Sequence, residues 1–463
     1  MGRTAVTSRP RPRWKVGERA AAALAVLAFA VTPFAAHADG IPVVRDAEAE
    51  SLLYDYLRPI LKTAGVSPAP HIHIVQSDQF NAFVTGRNDL FVNTETIIES
   101  KTPNELIGIL AHETGHIVND DIAHMEQQIA DTKAALVVAT LFGVGLAAAG
   151  AAAGSQDAGQ AGVGVLSGAG SIADRSLLTF RRDQESAADR NAIKFLTATG
   201  QSGAGMLAVL KRLADEELLS SQQANPYLQT HPLSRERVLA LQDLVAKSPL
   251  TAVKDSPELQ RRHDLVRAKL IGFTWPPGRV LRQYPLSDTS LAARYARAIV
   301  AYRSGKPGAA QEQIDGLIQS DPGDPYFLEL KGQALLEGGN PGAALAPLRK
   351  AVGLAPNAAL LKILLGQALV AGNDPAKAPE AIRLLTSAMQ SESDMGAGYR
   401  ALGRAYALSG DEPMAQLATA EGLFAEGGYD EARIQATRAQ AKLKRGSPAW
   451  LRADDIVSYK AQK

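Results

Sequence analysis

Pro322, Gly332 and Gly338 return as Pro356, Gly366 and Gly372, each thirty-four positions later. Tyr326, Leu330 and Leu335 are followed at the same interval by Leu360, Leu364 and Leu369. The turn sequences GKP, GNP, GNDP and GDEP begin at 305, 339, 372 and 410. A paired-helix unit of this length can bury its apolar face only against its neighbours, so residues 291–440 are expected to stack as an α-solenoid. The first and last copies are degenerate, as capping units are. Such an array presents a concave surface to proteins or peptides and carries no chemistry of its own. Any reaction belongs to the part of the chain before it.

That part opens on a leader. Arg3, Arg9, Arg11, Arg13, Lys15 and Arg19 precede the apolar run AAAALAVLAFAV, and Ala36-His37-Ala38 fits a small-x-small cleavage site. Residues 1–38 are therefore expected to be an export signal. Setting aside its six basic residues and one acid leaves 43 basic against 47 acidic residues, a net of −4. No basic arm or stripe remains for a nucleic-acid partner. With no cysteine in the chain, disulfides, lipid-modified cysteines and thiol nucleophiles are excluded.

Between 39 and 250 the periodicity is mostly helical. Residues 45–64 have helical spacing and stop near Gly65; HIHIVQ at 71–76 alternates as a strand; 81–93 read as two short strands joined around Gly86-Asp89. Thr102-Pro103-Asn104-Glu105 carries the N-cap, first-turn proline and capping-box glutamate of a helix start. A second strong helix runs over 176–200, a third over about 203–222, and THPLSRER at 230–237 enters another. Proline and glycine recur over 251–290, which reads as a connector, and 441–463 reads as a tail. The fold expected is mainly α with a small sheet.

The helix that starts at Thr102 contains ILAHETGHIVNDDIAH, with three of the chain's eight histidines. His112 and His116, four apart, lie on one helix face about 6 Å apart along the axis. That spacing lets both imidazoles meet one zinc ion at roughly 2.0–2.1 Å. Glu113 is turned about 100° from His112, beside the ion, where a carboxylate can hold a water and take its proton. His124 is too far along the helix to join them and reads as a surface histidine. A third ligand must come from elsewhere. Glu185, in RRDQESAADR, shares a helix face with Asp189, and Ala187, Ala188 and Ala192 would let that face come close to another helix. Asp189 would then orient a ligand histidine. Spacing leaves Glu216, Glu217 and Asp120 as equal candidates, and an Arg181–Glu185 surface pair as the plainer alternative.

NAFVTG, HETGH, RRDQESAAD and THPLSRER, in that order, resemble the zinc metalloprotease family of HtpX and the CAAX prenyl endopeptidases, metallopeptidase family forty-eight. The similarity is to its exported, BepA-like branch with C-terminal tetratricopeptide repeats. The resemblance implies a gluzincin-type α+β protease domain over 39–250 ahead of the repeats. It implies one Zn²⁺ held by His112, His116 and Glu185, with Glu113 as general base and Asp189 behind the ligands. It gives His231 a place near the metal, either on the oxyanion or on the open metal position of a resting form. Arg235 or Arg237 would hold that loop. Asn81, Ala82 and Phe83 would lie at an edge strand where extended substrate adds. It further implies a periplasmic protein acting on unfolded or misassembled envelope proteins, with outer-membrane assembly machinery a partner of the repeats. A chaperone or scaffold with little proteolysis is the rival. The uncharged run 134–153 is expected as a lid or membrane-surface helix, because a single crossing would part Glu185 from the histidines.

Overall fold

A computed structural model describes residues 35–38, 41–86, 89–134, 156–219 and 226–460, without the side chains of 35–38, 41, 156–176 and 217–219. The leader expected over 1–38 lies outside them except for its last four residues. Those form strand β1 (Ala35–Ala38), paired antiparallel with β2 (Ile41–Val44). The segment 134–153 lies outside them after its first residue. Among the described residues, no helix is long and apolar enough to cross a membrane.

The alternation of 71–76 forms β3 (His71–Val75), and 81–93 forms the hairpin strands β4 (Ala82–Thr85) and β5 (Asp89–Asn93). The sheet order is β1-β2-β3-β5-β4, with β3 and β5 parallel and β4 antiparallel at the edge. Period-two alternation sends Ile72, Ile74, Ala82, Leu90 and Val92 to one face. There they join a core with Leu52, Leu57 and Ile60 of α1 (Ala47–Ala64) and Leu106 and Leu110 of α3 (Pro103–Asn119). Between strand and helix sits the short α2 (Thr94–Glu99). Asp46 caps α1 by accepting from Ala49 N, Gly65 ends it at φ 73°, and Thr102 caps α3 by accepting from Glu105 N.

Asp120, left-handed at φ 53°, ends α3, and residues 121–134 form α4. The helix expected from 176 begins earlier: α5 runs Gln156–Ala198. Glycine costs about 1 kcal/mol per helical position, so the glycine-rich first half gave no helical signal. α6 (Ala204–Leu219), α7 (Pro226–Thr230) and α8 (Arg235–Lys247) complete this layer.

Residues 251–290 hold α9 (Pro257–Thr274) and α10 (Pro277–Gln283). α9 is built into the core: His263 is fully buried, its Nδ1 3.1 Å from Tyr56 Oη and its Nε2 donating to Ser100 O at 2.7 Å. Among the described residues, five helix pairs follow: α11 (Leu291–Arg303) with α12 (Pro307–Ser320), α13 (Pro325–Glu337) with α14 (Pro341–Leu354), α15 (Ala359–Ala371) with α16 (Ala378–Ala388), α17 (Gly396–Leu408) with α18 (Glu412–Ala425), and α19 (Tyr429–Lys442) with α20 (Pro448–Ser458). The repeating Gly332 and Gly366 have a steric cause. A Cβ there would lie 2.3 Å from Leu348 and 2.5 Å from Leu385, the leucines with which each second helix packs onto its first. α20 falls within the segment expected as a tail and closes the array through Ala453 and Ile456.

The repeats are fastened to the first domain by buried charge. Lys269 of α9 lies 2.8 Å from Asp46, 3.4 Å from Glu48 and 2.9 Å from Glu329 of α13. Tyr295 of α11 donates to Glu48 at 3.1 Å. Nearby, Arg45 pairs with Glu50 and with Glu392, in the turn before α17. Three carboxylates share one ammonium, so one of them holds its proton more tightly. Burial, relieved in part by Lys269 and reinforced by Asp324, Asp46 and Glu329, pushes Glu48 up to about 8.

A carboxyl raised on folding stabilises while protonated, and that stability is lost as pH rises from the unfolded value through the folded one. Glu48→Gln cannot ionise. Urea melts are expected to show it level with wild type near pH 4 to 5 and more stable at pH 8.5 by roughly 4–5 kcal/mol. Lys269→Met should instead cost roughly 3–5 kcal/mol, since it strands the carboxylates.

Candidate metal centre

His112, Glu113 and His116 sit on the buried stretch of α3, all within 7% exposure. Across from them the small residues of α5 allow near backbone contact. A Cβ on Gly115 would lie 2.9 Å from both the Cα and the carbonyl oxygen of Ala188. This approach carries Glu185, one turn earlier on α5, into reach of both histidines.

His112 Nε2 lies 3.1 Å from His116 Nε2, 3.3 Å from Glu185 Oε2 and 3.4 Å from His231 Nδ1. Glu185 Oε1 lies 3.5 Å from His116 Nε2 and 3.0 Å from His231 Nδ1. A tetrahedral ion with arms of 2.0–2.1 Å needs its donors about 3.3–3.4 Å apart. Three imidazole nitrogens and a carboxylate at these separations fit a divalent cation. Among the described residues this is the one group of three or more such side chains so gathered.

The other candidates separate. Asp120 and Glu216 are exposed, and the Glu217 side chain lies outside the described residues. His124 is exposed on α4, beyond the left-handed break at Asp120. Arg181 does not pair with Glu185. It donates to the carbonyls of Gln229 and Thr230, at 2.6 and 2.9 Å, and so braces the loop that carries His231.

Behind the donors stands a ring of carboxylates. Asp189 Oδ1 lies 3.0 Å from His112 Nδ1. Asp121 Oδ2 lies 2.7 Å from His116 Nδ1, a partner the sequence reading missed. The signal was an aspartate five residues past the second histidine, and it needed the left-handed Asp120 to fold it back. Of the two loop arginines, Arg235 is exposed and Arg237 is buried. Arg237 donates to Asp189 through Nε at 2.6 Å and Nη2 at 2.9 Å, and its Nη1 lies 2.6 Å from Glu185 Oε2. Burial opposes charge on these carboxyls, but Arg237 and His112 hold Asp189 at about 2. Burial likewise works against Glu185, which His231, His112 and Arg237 hold well below the usual range. Burial would take the proton from His112, yet Asp189 and Glu185 hold it up to about 10. The ionised carboxylates thus call for positive charge at the histidines.

Glu113 is fully buried, and among the described residues neither of its carboxylate oxygens has a hydrogen-bond partner. His231 Nε2 is 3.5 Å from its Oε1 and donates to Ala82 O at 3.2 Å. With a proton on Nε2 alone, as a metal-bound imidazole would have it, the Nδ1 lone pair would face the donor cluster. Thr230 Oγ1 donates to Asn81 Oδ1 at 3.4 Å. Asn81 and Ala82 therefore meet the His231 loop directly. Phe83 points to the other face of the sheet and does not touch the cluster.

Residues 48–245 match the sequence model of Peptidase family M48, and residues 295–359 that of a tetratricopeptide repeat. The chain is 28% identical over 269 residues to the Beta-barrel assembly-enhancing protease of Yersinia pestis, covering 56% of this chain and 52% of that protein. It is 24% identical over 274 residues to the protein of the same name from Escherichia coli strain K12, with the same coverage. A Protease HtpX homolog of Pelotomaculum thermopropionicum is 43% identical over 82 residues, 17% of this chain and 28% of that one. The chain spans about half the length of the Beta-barrel assembly-enhancing proteases it matches.

Gly115→Val should force α5 away from α3. It is expected to cost about 1–3 kcal/mol of stability and to reduce bound metal well below one per chain in elemental analysis of the purified protein.

Proposed function

Since residues 48–245 are a Peptidase family M48 domain, we propose that this chain is a zinc-dependent endopeptidase of exported proteins. The observation that carries the proposal is the donor tetrahedron of His112, His116, Glu185 and His231 next to the unpartnered Glu113. One Zn²⁺ per chain would be held by His112, His116 and Glu185, with Asp189 and Asp121 fixing the two imidazoles through their Nδ1 atoms. When bound, zinc supplies Lewis-acid polarisation of a water and of the scissile carbonyl. Glu113 takes a proton from that water as its oxygen attacks the carbonyl carbon, then delivers it to the departing amine nitrogen. Substrate lies extended along β4, at Asn81, Ala82 and Phe83, on the open edge of the sheet.

In this reading His231 closes the resting enzyme. Its Nδ1 takes the position that a catalytic site leaves open, and its Nε2 holds the Ala82 carbonyl that an added strand would need. The names of the relatives and the repeats support a role in the periplasm on misfolded or stalled envelope proteins, with the repeats docking substrates or outer-membrane assembly machinery. The closed donor set also favours a second reading, an assembly chaperone with gated or minimal proteolysis.

Zinc-analysed protein incubated with an unfolded outer-membrane β-barrel protein tests both. Glu113→Gln should keep zinc and lose cleavage by about 10²-fold or more. His231→Ala should keep zinc and cleave several-fold faster than wild type. A fall with His231→Ala would assign that imidazole to the transition state instead. Zinc with no cleavage by wild type or His231→Ala would favour the chaperone.

A further inference from the structure

The face of the sheet turned away from the core carries a ladder of rings. His73 on β3, Phe91 on β5 and Phe83 on β4 are direct cross-strand partners. The His73 and Phe91 rings stack at 4.7 Å and 21°, and the Phe91 and Phe83 rings at 5.0 Å and 9°. These spacings match the roughly 4.7–4.9 Å between neighbouring strands, so each strand adds one ring. Asp89 anchors the inner end, 2.9 Å from His73 Nε2. Phe91 is buried between its neighbours, whereas Phe83, the outermost ring, stays half-exposed at the sheet edge.

The backbone of β4 says what comes next. Asn81 turns inward, its N–H donating to Thr96 Oγ1 and its carbonyl accepting from Asn93 N. By strict alternation Phe83 and Thr85 also bond inward to β5, while Ala82 and Val84 present N–H and C=O outward. Among the described residues, the one outward carbonyl with a partner is Ala82 O, held by His231. A strand added antiparallel would hydrogen-bond to Ala82 and Val84. It would face Phe83 in a non-hydrogen-bonded pair, where Cα atoms are about 4.5 Å apart and side chains meet most closely.

We infer that Phe83 is a specificity-determining residue, and that the substrate residue opposite it is a flat aromatic ring that extends the His73–Phe91–Phe83 stack by one rung. The inference rests on β4 being the substrate edge of a peptidase, and deepens that reading by giving one subsite a side-chain class. Ala82 and Val84 face the core, so the neighbouring substrate positions lie on the metal side and are read by other residues.

The test is binding, which needs no turnover. A Glu113→Gln/His231→Ala double variant is titrated with labelled extended peptides of about eight residues, Ala/Thr-based, with one Phe walked through every position. Fluorescence anisotropy should show one position where Phe tightens Kd about three- to tenfold over Ala. Adding Phe83→Ala should remove that gain, so that the Phe peptide and the all-Ala/Thr peptide bind this variant with the same Kd. Phe83→Leu, which keeps apolar volume at the edge, should also lose most of the gain. Equal binding at every position, or a gain that survives in Phe83→Leu, overturns the inference. So does an absence of binding by a protein whose wild type cleaves, and the peptidase reading then stands without it. Aromatic-selective binding lost with Phe83, in a chain whose wild type and His231→Ala forms cleave nothing, keeps the subsite and removes the peptidase.

Discussion

The contact of Gly115 with the backbone of Ala188 sets the distance between α3 and α5, and the metal centre depends on that distance. Two histidines four apart on one helix make only half of a site. The other half is delivered by a second helix, and a carboxylate one turn from the contact can reach only if the backbones nearly touch. Most side chains at position 115 would push Glu185 beyond bonding range. The alanines at 188 and 192, both fully buried, serve the same approach from the other side.

Around this contact the charges are arranged so that the centre is short of positive charge without being short of support. Asp189, Glu185 and Asp121 are buried carboxylates, and Arg237 answers two of them. Burying an unpaired carboxylate is costly. The arginine keeps Asp189 and Glu185 ionised, so that they orient His112 and offer oxygen to a cation. The junction of the two domains uses the opposite balance. Lys269 faces three carboxylates there, and Glu48 is pushed up to about 8 by burial. One buried cluster is tuned to hold charge and the other to give it up.

Much of this was legible from residue order. The alternation at 71–76 and 81–93 gave the strands, the family resemblance placed β4 at the edge, and the Thr102 cap fixed the start of the histidine helix. The thirty-four-residue period gave the repeats, and the glycines that carried it prove to be sites where a leucine leaves no room for a Cβ. Spacing alone could not choose Glu185 over Glu216, because that choice is made by how closely two helices pack. Asp121 was hidden because its value depends on one left-handed residue before it. The first half of α5 was hidden because glycine-rich sequence argues against helix, and tertiary context overrides that preference. The interdomain cluster joins residues 46, 48, 269 and 329, which no local pattern connects.

The loop at His231 ties these parts into one device. Arg181 holds its approach by the carbonyls of Gln229 and Thr230, and Arg237 donates to Pro232 O at 3.3 Å just beyond. Between these clasps a single imidazole faces two ways, with one nitrogen toward the metal donors and the other on the Ala82 carbonyl. If the loop lifts, both are released together. Under the proposed function, a coordination position and a strand-pairing position would open in the same movement, and a peptide substrate would need both, one for its reacting carbonyl and one for its backbone. Neither alone would admit substrate: an open metal position without the edge would not hold a chain, and a free edge beside a capped metal would hold one without reacting. Under the proposed function, closure by one residue at both places would guard against partial opening, as suits a peptidase that must not cut its neighbours.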